Sequence, residues 1–196
     1  MELRWSWSAP ANVLIAGEYA VTAESGLGIA LAVQPRATVR VDREIRRENE
    51  PPIEVVAVMG GETVTWPRTE VPLIRSTVNA ITQRYDISAD YLTAPRRGER
   101  FRSLIRLDTS SFFDRDTGKK LGLGSSAVAT LLLTTAITAI LRESGVAPID
   151  EVVSTAIDAH RGAHAGRGSG YDIATSATGG MVRFVGGRRP QWSKTD

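Results

Sequence analysis

The sequence predicts a globular domain with strands concentrated in the first half of the chain and helices in the second. Two observations predict this division: apolar residues first alternate with polar ones or form short runs, and from Val71 onward they recur at intervals of three and four. A third is the composition. The chain has 196 residues, of which 42% are hydrophobic and 23% charged, the balance of an ordinary domain with a buried core.

The predicted strands begin at the N-terminus, where Leu3, Trp5 and Trp7 alternate with polar residues. Short apolar runs predict further strands at residues 13–16, 28–33, 37–41, 53–59 and 62–66. Gly60-Gly61 separates the last two and predicts a hairpin. Residues 42–52 are charged and end in two prolines, so they are expected to form an exposed connection.

The predicted helices start with an amphipathic one over residues 71–85. A long apolar helix is expected over residues 125–142, closed by Gly145, and Pro148 opens another that ends near His164. The remaining expectations are a loop at 94–100, a strand at 101–108, a glycine-rich turn at 166–170, a short helix at 172–177, a strand at 181–185 and a tail or severed linker at 186–196.

Several classes of protein are excluded or disfavoured. Cysteine is absent, which excludes disulfide scaffolds, zinc–thiolate sites, iron–sulfur clusters and cysteine nucleophiles. A net charge of only +2 gives nucleic-acid binding no support. The apolar run at 127–141 is too short for a membrane span, and the first residues lack the apolar core of a signal peptide. We therefore expect a cytoplasmic protein without nucleic-acid or membrane partners.

The strongest local signal runs from Lys119 to Ala127, Lys-Lys-Leu-Gly-Leu-Gly-Ser-Ser-Ala, and leads directly into the long helix. All but three of the 24 basic residues are arginine, and two of the three lysines lie here. Glycines let the backbone approach a ligand closely, and the first amides of a helix favour a phosphate. Serine hydroxyls at this place cap the helix, bond a phosphate oxygen or ligate Mg²⁺. The segment is therefore suited to a polyphosphate.

Three interpretations of this segment compete. It can be a flexible loop before a capped helix, since glycine and serine serve that purpose widely. Gly122, Gly124 and Ala127 also match the dinucleotide pattern G-x-G-x-x-A, although they lie in mid-chain and precede two helices rather than opening a βαβ unit. The third interpretation is a nucleoside triphosphate loop of a kind other than Walker A, whose spacing the sequence lacks.

A second glycine cluster, at residues 166–170, is followed by Asp172. An aspartate at a helix start is commonly a cap, but beside a phosphate loop it can orient or deprotonate the group that attacks the terminal phosphate. His160 and His164 have the spacing of metal ligands on a helix. Because no third ligand is evident and both fall on an apolar stripe, a structural role is favoured for them.

Three segments, in this order, resemble the motifs of the GHMP kinases, the superfamily of galactokinase, homoserine kinase, mevalonate kinase and phosphomevalonate kinase. They are Ala-Pro-Ala-Asn-Val-Leu-Ile-Ala-Gly-Glu-Tyr-Ala-Val at 9–21, Gly-Leu-Gly-Ser-Ser-Ala at 122–127 and Gly-Ser-Gly-Tyr-Asp at 168–172, with Gly179-Gly180 beyond. Residues 17–21, 110–112 and 118–126 are most similar to phosphomevalonate kinase, as is Ala159-His160 ahead of the third segment. The resemblance covers nearly the whole chain but only the N-terminal half of a typical member.

The resemblance implies an α+β fold like domain 2 of ribosomal protein S5, over residues 1–185, without the ferredoxin-like C-terminal half. It implies phosphoryl transfer from Mg²⁺–ATP to a small molecule, with phosphomevalonate as the favoured acceptor. The implied ATP site consists of Lys119, Gly122, Leu123, Gly124, Ser125, Ser126 and Ala127, and Ser126 also ligates Mg²⁺. Lys120 and Asp172 are implied at the transfer centre. The implied acceptor side consists of Asn12, Glu18, Tyr19, Ser169 and Gly170.

Two departures from the family leave alternatives open. Ala11-Asn12 stands where the family usually has Gly-Lys, so the side chain keeps its hydrogen bonding and loses its charge. The chain also stops after the N-terminal half, so it is a fragment of a longer protein, the partner of a second half on a separate chain, or a domain that works alone. The expected partner is a C-terminal kinase half on another chain or a second copy of this chain. The alternatives in function are a GHMP kinase that phosphorylates a hydroxyl group of mevalonate or a sugar, and a nucleotide-binding module with impaired catalysis.

Overall fold

In a computed structural model, which describes residues 2–95, 98–142, 145 and 147–195, the strands form one mixed sheet. The strands of these described residues are β1 (Glu2–Ala16), β2 (Leu27–Ile45), β3 (Ile53–Met59), β4 (Glu62–Trp66), β5 (Phe101–Asp108), β6 (Met181–Val185) and β7 (Gln191–Thr195). The long strand β2 organises the sheet. It pairs with β1 along one edge, while β6 and β5 share its other edge.

The helices are α1 (Pro72–Tyr85), α2 (Asp90–Thr93), α3 (Ser125–Arg142), α4 (Ile149–Ala163) and α5 (Tyr171–Thr178), with short 3₁₀ turns at Ala20–Thr22 and Ser110–Phe112. Helix α3 packs against β1, β2 and β5 and also contacts α1, α4 and α5. Its buried side chains meet the sheet face that carries Val39, Val41 and Ile105. This arrangement confirms the expected α+β fold and brings the starts of α3 and α5 to the same end of the sheet.

Two pairs of predicted short strands are continuous in the structure, and that part of the prediction is wrong. Residues 3–7 and 13–16 both belong to β1, and residues 28–33 and 37–41 both belong to β2. The segment between the two runs of each pair contains a proline, Pro10 or Pro35. The register between β1 and β2 shifts between Pro10 and Ala11, and pairing resumes beyond it. A bulge accommodates proline in a strand without ending the ladder.

The expected tail at 186–196 is also corrected. Residues Gln191–Thr195 form the strand β7, which pairs antiparallel with β6 and lies at the end of the sheet. Its short polar pattern carries little apolar signal, which is why the sequence did not reveal it. Within the predicted loop at 94–100, positions 96 and 97 lie outside the described residues, as do positions 143 and 144 after α3.

Helix α3 is long and apolar enough to cross a membrane by length and composition, but 67% of it is buried inside the protein. It is longer than the apolar run at 127–141 because the helix begins at Ser125 and ends at Arg142. Such burial is the packing of a core helix in a globular domain.

Candidate active site

The glycine segment forms a turn that opens into the first turn of α3. Gly122 and Gly124 have positive φ of +74° and +79°, a conformation that glycine adopts without strain. The amide of Val128 donates to the carbonyl of Gly124 at 3.0 Å, the first hydrogen bond of the helix. The amides of Ser125, Ser126 and Ala127 therefore lack partners within the helix ladder. At Gly122 a Cβ would meet nothing within 4 Å, so this side of the turn is open to a ligand.

Asn12 supports the turn from beneath. It is 3% exposed, its backbone amide donates to the carbonyl of Leu123 at 3.3 Å, and its Nδ2 donates to Ser176 Oγ at 3.0 Å. A Cβ added at Gly124 would lie 2.6 Å from Asn12 Nδ2. The Asn12 side chain thus connects β1, the glycine turn and α5. Its amide group is used in a structural hydrogen bond.

His160 on α4 joins this group through Ser126. Its Nε2 lies 3.3 Å from Ser126 Oγ, and its ring centroid lies 4.4 Å from that of His164, with the two ring planes tilted by 59°. Burial lowers the pKa of His160 below its ordinary value of 6.5, which the charge of Asp172 opposes and His164 reinforces. A neutral imidazole therefore faces the serine hydroxyl. Sequence reasoning had assigned His160 a structural role and had not placed it beside the glycine turn.

Protonation of His160 is expected to weaken the fold. Because its pKa is lower in the folded chain than in the unfolded one, the free energy of unfolding is highest above pH 6.5 and falls as the pH drops through the folded-state pKa. In the His160→Gln variant the free energy of unfolding should depend less steeply on pH. The His164→Gln variant, which removes an exposed ring, should keep most of the wild-type pH dependence. Urea unfolding between about pH 7.5 and 5 measures this. Equal slopes in wild type and His160→Gln would contradict it.

Asp172 lies in the first turn of α5, where its Oδ1 accepts a hydrogen bond from the amide of Ile173 at 3.0 Å. Its charge acts on His160, which in turn contacts Ser126, so the carboxylate and the glycine turn belong to one site. Burial raises the pKa of Tyr171, and the charges of Asp172 and Glu18 raise it further. The charges of Glu18 and Asp172 therefore act on the same tyrosine.

The remaining predicted residues are arranged around this centre. Ser169 is buried, and its Oγ accepts a hydrogen bond from the Tyr171 amide at 3.4 Å, while Tyr19 is 83% exposed. Lys119 and Lys120 are exposed, and neither forms an ion pair with any residue that the structure describes. Lys120 Nζ lies 6.0 Å from the centroid of Phe113. Both ammonium groups are therefore open to solvent, directly before the glycine turn in the chain.

Arg161 on α4 stabilises the turn before α5. Its guanidinium donates to the carbonyls of Gly168 at 2.9 Å and Ser169 at 3.0 Å. It also donates to the carbonyls of Gly187 at 2.9 Å and Arg188 at 3.3 Å, in the turn between β6 and β7. The segment that leads to Asp172 is thus held in place by one side chain.

A surface depression of about 540 Å³ lies beside this segment. It is lined by Ser126, His160, His164, Arg167 and Gly168, among others.

Solved structures similar to this chain include two small-molecule kinases and one further bacterial protein. The phosphomevalonate kinase of Streptococcus pneumoniae, in complex with phosphomevalonate and AMPPNP, has a TM-score of 0.69 and 17% identity, covering 95% of this chain and 51% of its own. The mevalonate kinase of Methanococcus jannaschii has a TM-score of 0.65 and 16% identity, covering 98% and 56%. The Lin0012 protein of Listeria innocua has a TM-score of 0.66 and 23% identity, covering 92% and 48%.

The chain has the fold of the N-terminal domain of the GHMP kinases. It spans about half the length of these solved structures. No family model matches the sequence. No curated protein matches it either.

In this GHMP kinase fold, the contacts of His160 and Ser176 bring together Asn12, Gly124 and Ser126 from the predicted set, and the charge of Asp172 acts on His160. Sequence reasoning missed Ser176 because a serine in a short helix carries no pattern of its own. Its spacing from Asp172 was the available signal, since residues four apart on a helix share a face.

Proposed function

We propose that this chain is the ATP-binding part of a GHMP-type kinase, and that it transfers a phosphoryl group from Mg²⁺–ATP to phosphomevalonate, forming diphosphomevalonate. The observation that carries the proposal is the link from the open glycine turn to the Asp172 carboxylate through Ser126 and His160. A phosphate cradle beside a carboxylate is the arrangement that phosphoryl transfer needs, because its catalysis consists mainly of positioning and electrostatic stabilisation.

The residues of the turn fit a nucleotide. The open space at Gly122 admits a phosphate close to the backbone, where the first amides of α3 and the helix dipole favour negative charge. The exposed Lys120 supplies mobile positive charge. Ser126 is the residue that would hold Mg²⁺, which keeps most of its water and phosphate ligands and needs few from the protein. When bound, the metal neutralises charge on the transferring group.

The state of Asn12 favours an acceptor that is already ionised. Its amide is occupied by Ser176 and lies under Gly124, so this position delivers no positive charge to the transfer centre. An alcohol acceptor needs deprotonation and strong charge stabilisation, whereas a phosphomonoester is mostly ionised at neutral pH, with a second pKa of about 6. Asp172 then orients the acceptor rather than removing a proton from it. This supports phosphomevalonate over mevalonate or a sugar.

The partner and the location stay proposals. Because the chain spans about half of the matched structures, we propose that a C-terminal kinase half on another chain, or a second copy, covers the acceptor side. The exposed Tyr19 and Glu18 lie where such a partner would contribute acceptor contacts. We propose a cytoplasmic location, because a composition without cysteine suits a reducing compartment.

The test is calorimetric titration with Mg²⁺–ATP, followed by an assay of phosphoryl transfer to phosphomevalonate, mevalonate and sugars. We expect saturable ATP binding that EDTA weakens, and product from phosphomevalonate. Product only from mevalonate or a sugar would replace the acceptor with a hydroxyl compound. Binding without any product would make the chain a nucleotide-binding module. Absence of ATP binding would overturn the proposal.

A further inference from the structure

A second cavity lies at the end of the fold away from the glycine turn. It has a volume of about 360 Å³, and its walls come from β2, β5 and α2, together with Ile140 and Leu141 near the end of α3. Ser126 and Leu141 are at opposite ends of α3, about 22 Å apart along the helix axis. The cavity is therefore separate from the candidate active site.

Guanidinium groups without carboxylate partners line this cavity. Arg4, Arg43 and Arg100 form no ion pair within residues 2–95, 98–142, 145 and 147–195. Arg4 stacks 4.3 Å from the ring centroid of Trp5, and Arg43 stacks 4.0 Å from that of Phe101. Stacking on an aromatic face orients a guanidinium while its N–H donors point outward in the plane, ready for an oxyanion.

The neighbouring carboxylates do not neutralise these arginines. Glu44 and Glu54 pair with Arg102, at 2.7 Å for Glu44, and Glu50 lies 3.6 Å from the same guanidinium. Side chains alternate across a strand, so Glu44 points to the sheet face opposite to that of Arg43. The acidic cluster therefore satisfies Arg102 on one face, while Arg43 remains available on the other.

Glu99 contributes the one unsatisfied acceptor of the cavity wall. Its Oε2 is buried and has no hydrogen-bond partner in the part of the chain described. A buried acceptor without a donor is unfavourable, and a ligand that supplies a donor removes that cost. Three guanidinium groups and this carboxylate leave a formal charge of +2, since Arg102 is already paired. That charge matches a phosphomonoester, which carries about −1.5 to −2 at pH 7.

We infer that this cavity binds a small phosphomonoester that carries a hydroxyl group. The guanidinium groups of Arg4, Arg43 and Arg100 take the phosphate oxygens, since arginine donors match that geometry. Glu99 lies in the cavity wall, and its carboxylate turns into the cavity to accept the hydrogen bond of the hydroxyl group, because Oε2 is shielded from solvent in the unliganded structure. The inference does not depend on the proposed kinase function, because no residue of the glycine turn takes part.

Amide chemical shifts of the full chain, titrated with sn-glycerol 3-phosphate and separately with inorganic phosphate, test the inference. We expect saturable shifts at Arg43 and at residues 99–103, with glycerol phosphate binding more tightly than inorganic phosphate because only it reaches Glu99. Raised salt should weaken both. Absence of saturable shifts, or shifts confined to residues 122–126, would overturn the inference.

Three variants sharpen this test. Arg43→Gln should weaken glycerol phosphate binding about tenfold, the effect of one charge-assisted hydrogen-bonding group. Arg75→Gln is the matched control. It removes an exposed arginine of α1 that pairs with Glu70, and it should leave glycerol phosphate binding unchanged. Glu99→Gln should tighten binding of inorganic phosphate and reduce the difference in affinity between inorganic phosphate and glycerol phosphate. Equal affinities for Arg43→Gln and Arg75→Gln would count against the site, as would an unchanged ligand preference in Glu99→Gln.

Discussion

Replacement of Asp172 by asparagine is expected to lower the rate of phosphoryl transfer at least about a hundredfold, with little change in ATP affinity. The carboxylate lies at the start of α5, on the side that we propose for the acceptor, and its charge already acts on His160 and Tyr171. Loss of this charge removes the group that orients the acceptor while the glycine turn keeps its shape. Steady-state kinetics and ATP titration of the same variant separate the two effects.

The matched control is Asp158→Asn. Asp158 lies on the neighbouring helix α4 and is exposed, so its substitution removes an equal charge without touching the candidate site. This control should retain the wild-type rate. Equal rates for the two variants would remove Asp172 from the transfer centre, whatever the outcome of ATP binding.

Gly124→Ala is expected to damage both the fold and the nucleotide site. Alanine at a φ of +79° is strained by roughly 1–2 kcal/mol, and its Cβ would lie 2.6 Å from Asn12 Nδ2. The buried amide must then move and lose its hydrogen bond to Ser176, which costs roughly a further 1–3 kcal/mol. Urea unfolding should show the whole loss, and calorimetry should show ATP binding weakened more than about tenfold.

Gly122→Ala provides the comparison for stability, since its φ of +74° gives similar strain but its Cβ meets nothing within 4 Å. The free energy of unfolding of this variant should fall only by the strain energy. A second comparison is the double variant Asn12→Ala with Gly124→Ala, in which the obstructing amide is absent. Its loss of stability should be smaller than the sum of the two single losses. Additive losses, or equal losses for the two glycine variants, would mean that the contact with Asn12 is unimportant.

The sequence predicted those parts of the fold in which local pattern and tertiary packing agree. The limits of α3 and α5 follow from glycine and from apolar spacing, and the hairpin of β3 and β4 follows from Gly60-Gly61. The continuous strands β1 and β2 were missed because proline is a local signal, whereas the pairing that carries a strand past it is long-range.

The candidate site was predicted where ligand chemistry selects unusual residues, and missed where support is tertiary. Glycine and serine before a helix mark a phosphate loop, but nothing local shows that Asn12 lies beneath Gly124 or that Ser176 holds its amide. From the sequence, Asn12 could be interpreted only as the loss of the positive charge that the family usually has at this position. His160 likewise acquires its lowered pKa from burial against α3, which a spacing of four residues does not reveal.

The hydrogen bonds of Arg161 have a consequence for sequence divergence. Its four partners among the described residues are main-chain oxygens, at residues 168, 169, 187 and 188. A clamp of this kind holds the course of the backbone and is indifferent to the side chains that the clamped positions carry. Arg188 can therefore change in evolution without releasing the segment that leads to α5, whereas Gly168 and Gly187 have positive φ of +122° and +137°, a conformation that favours glycine. Arg161 itself has no such latitude, because a lysine ammonium cannot reproduce a planar fork of five donors.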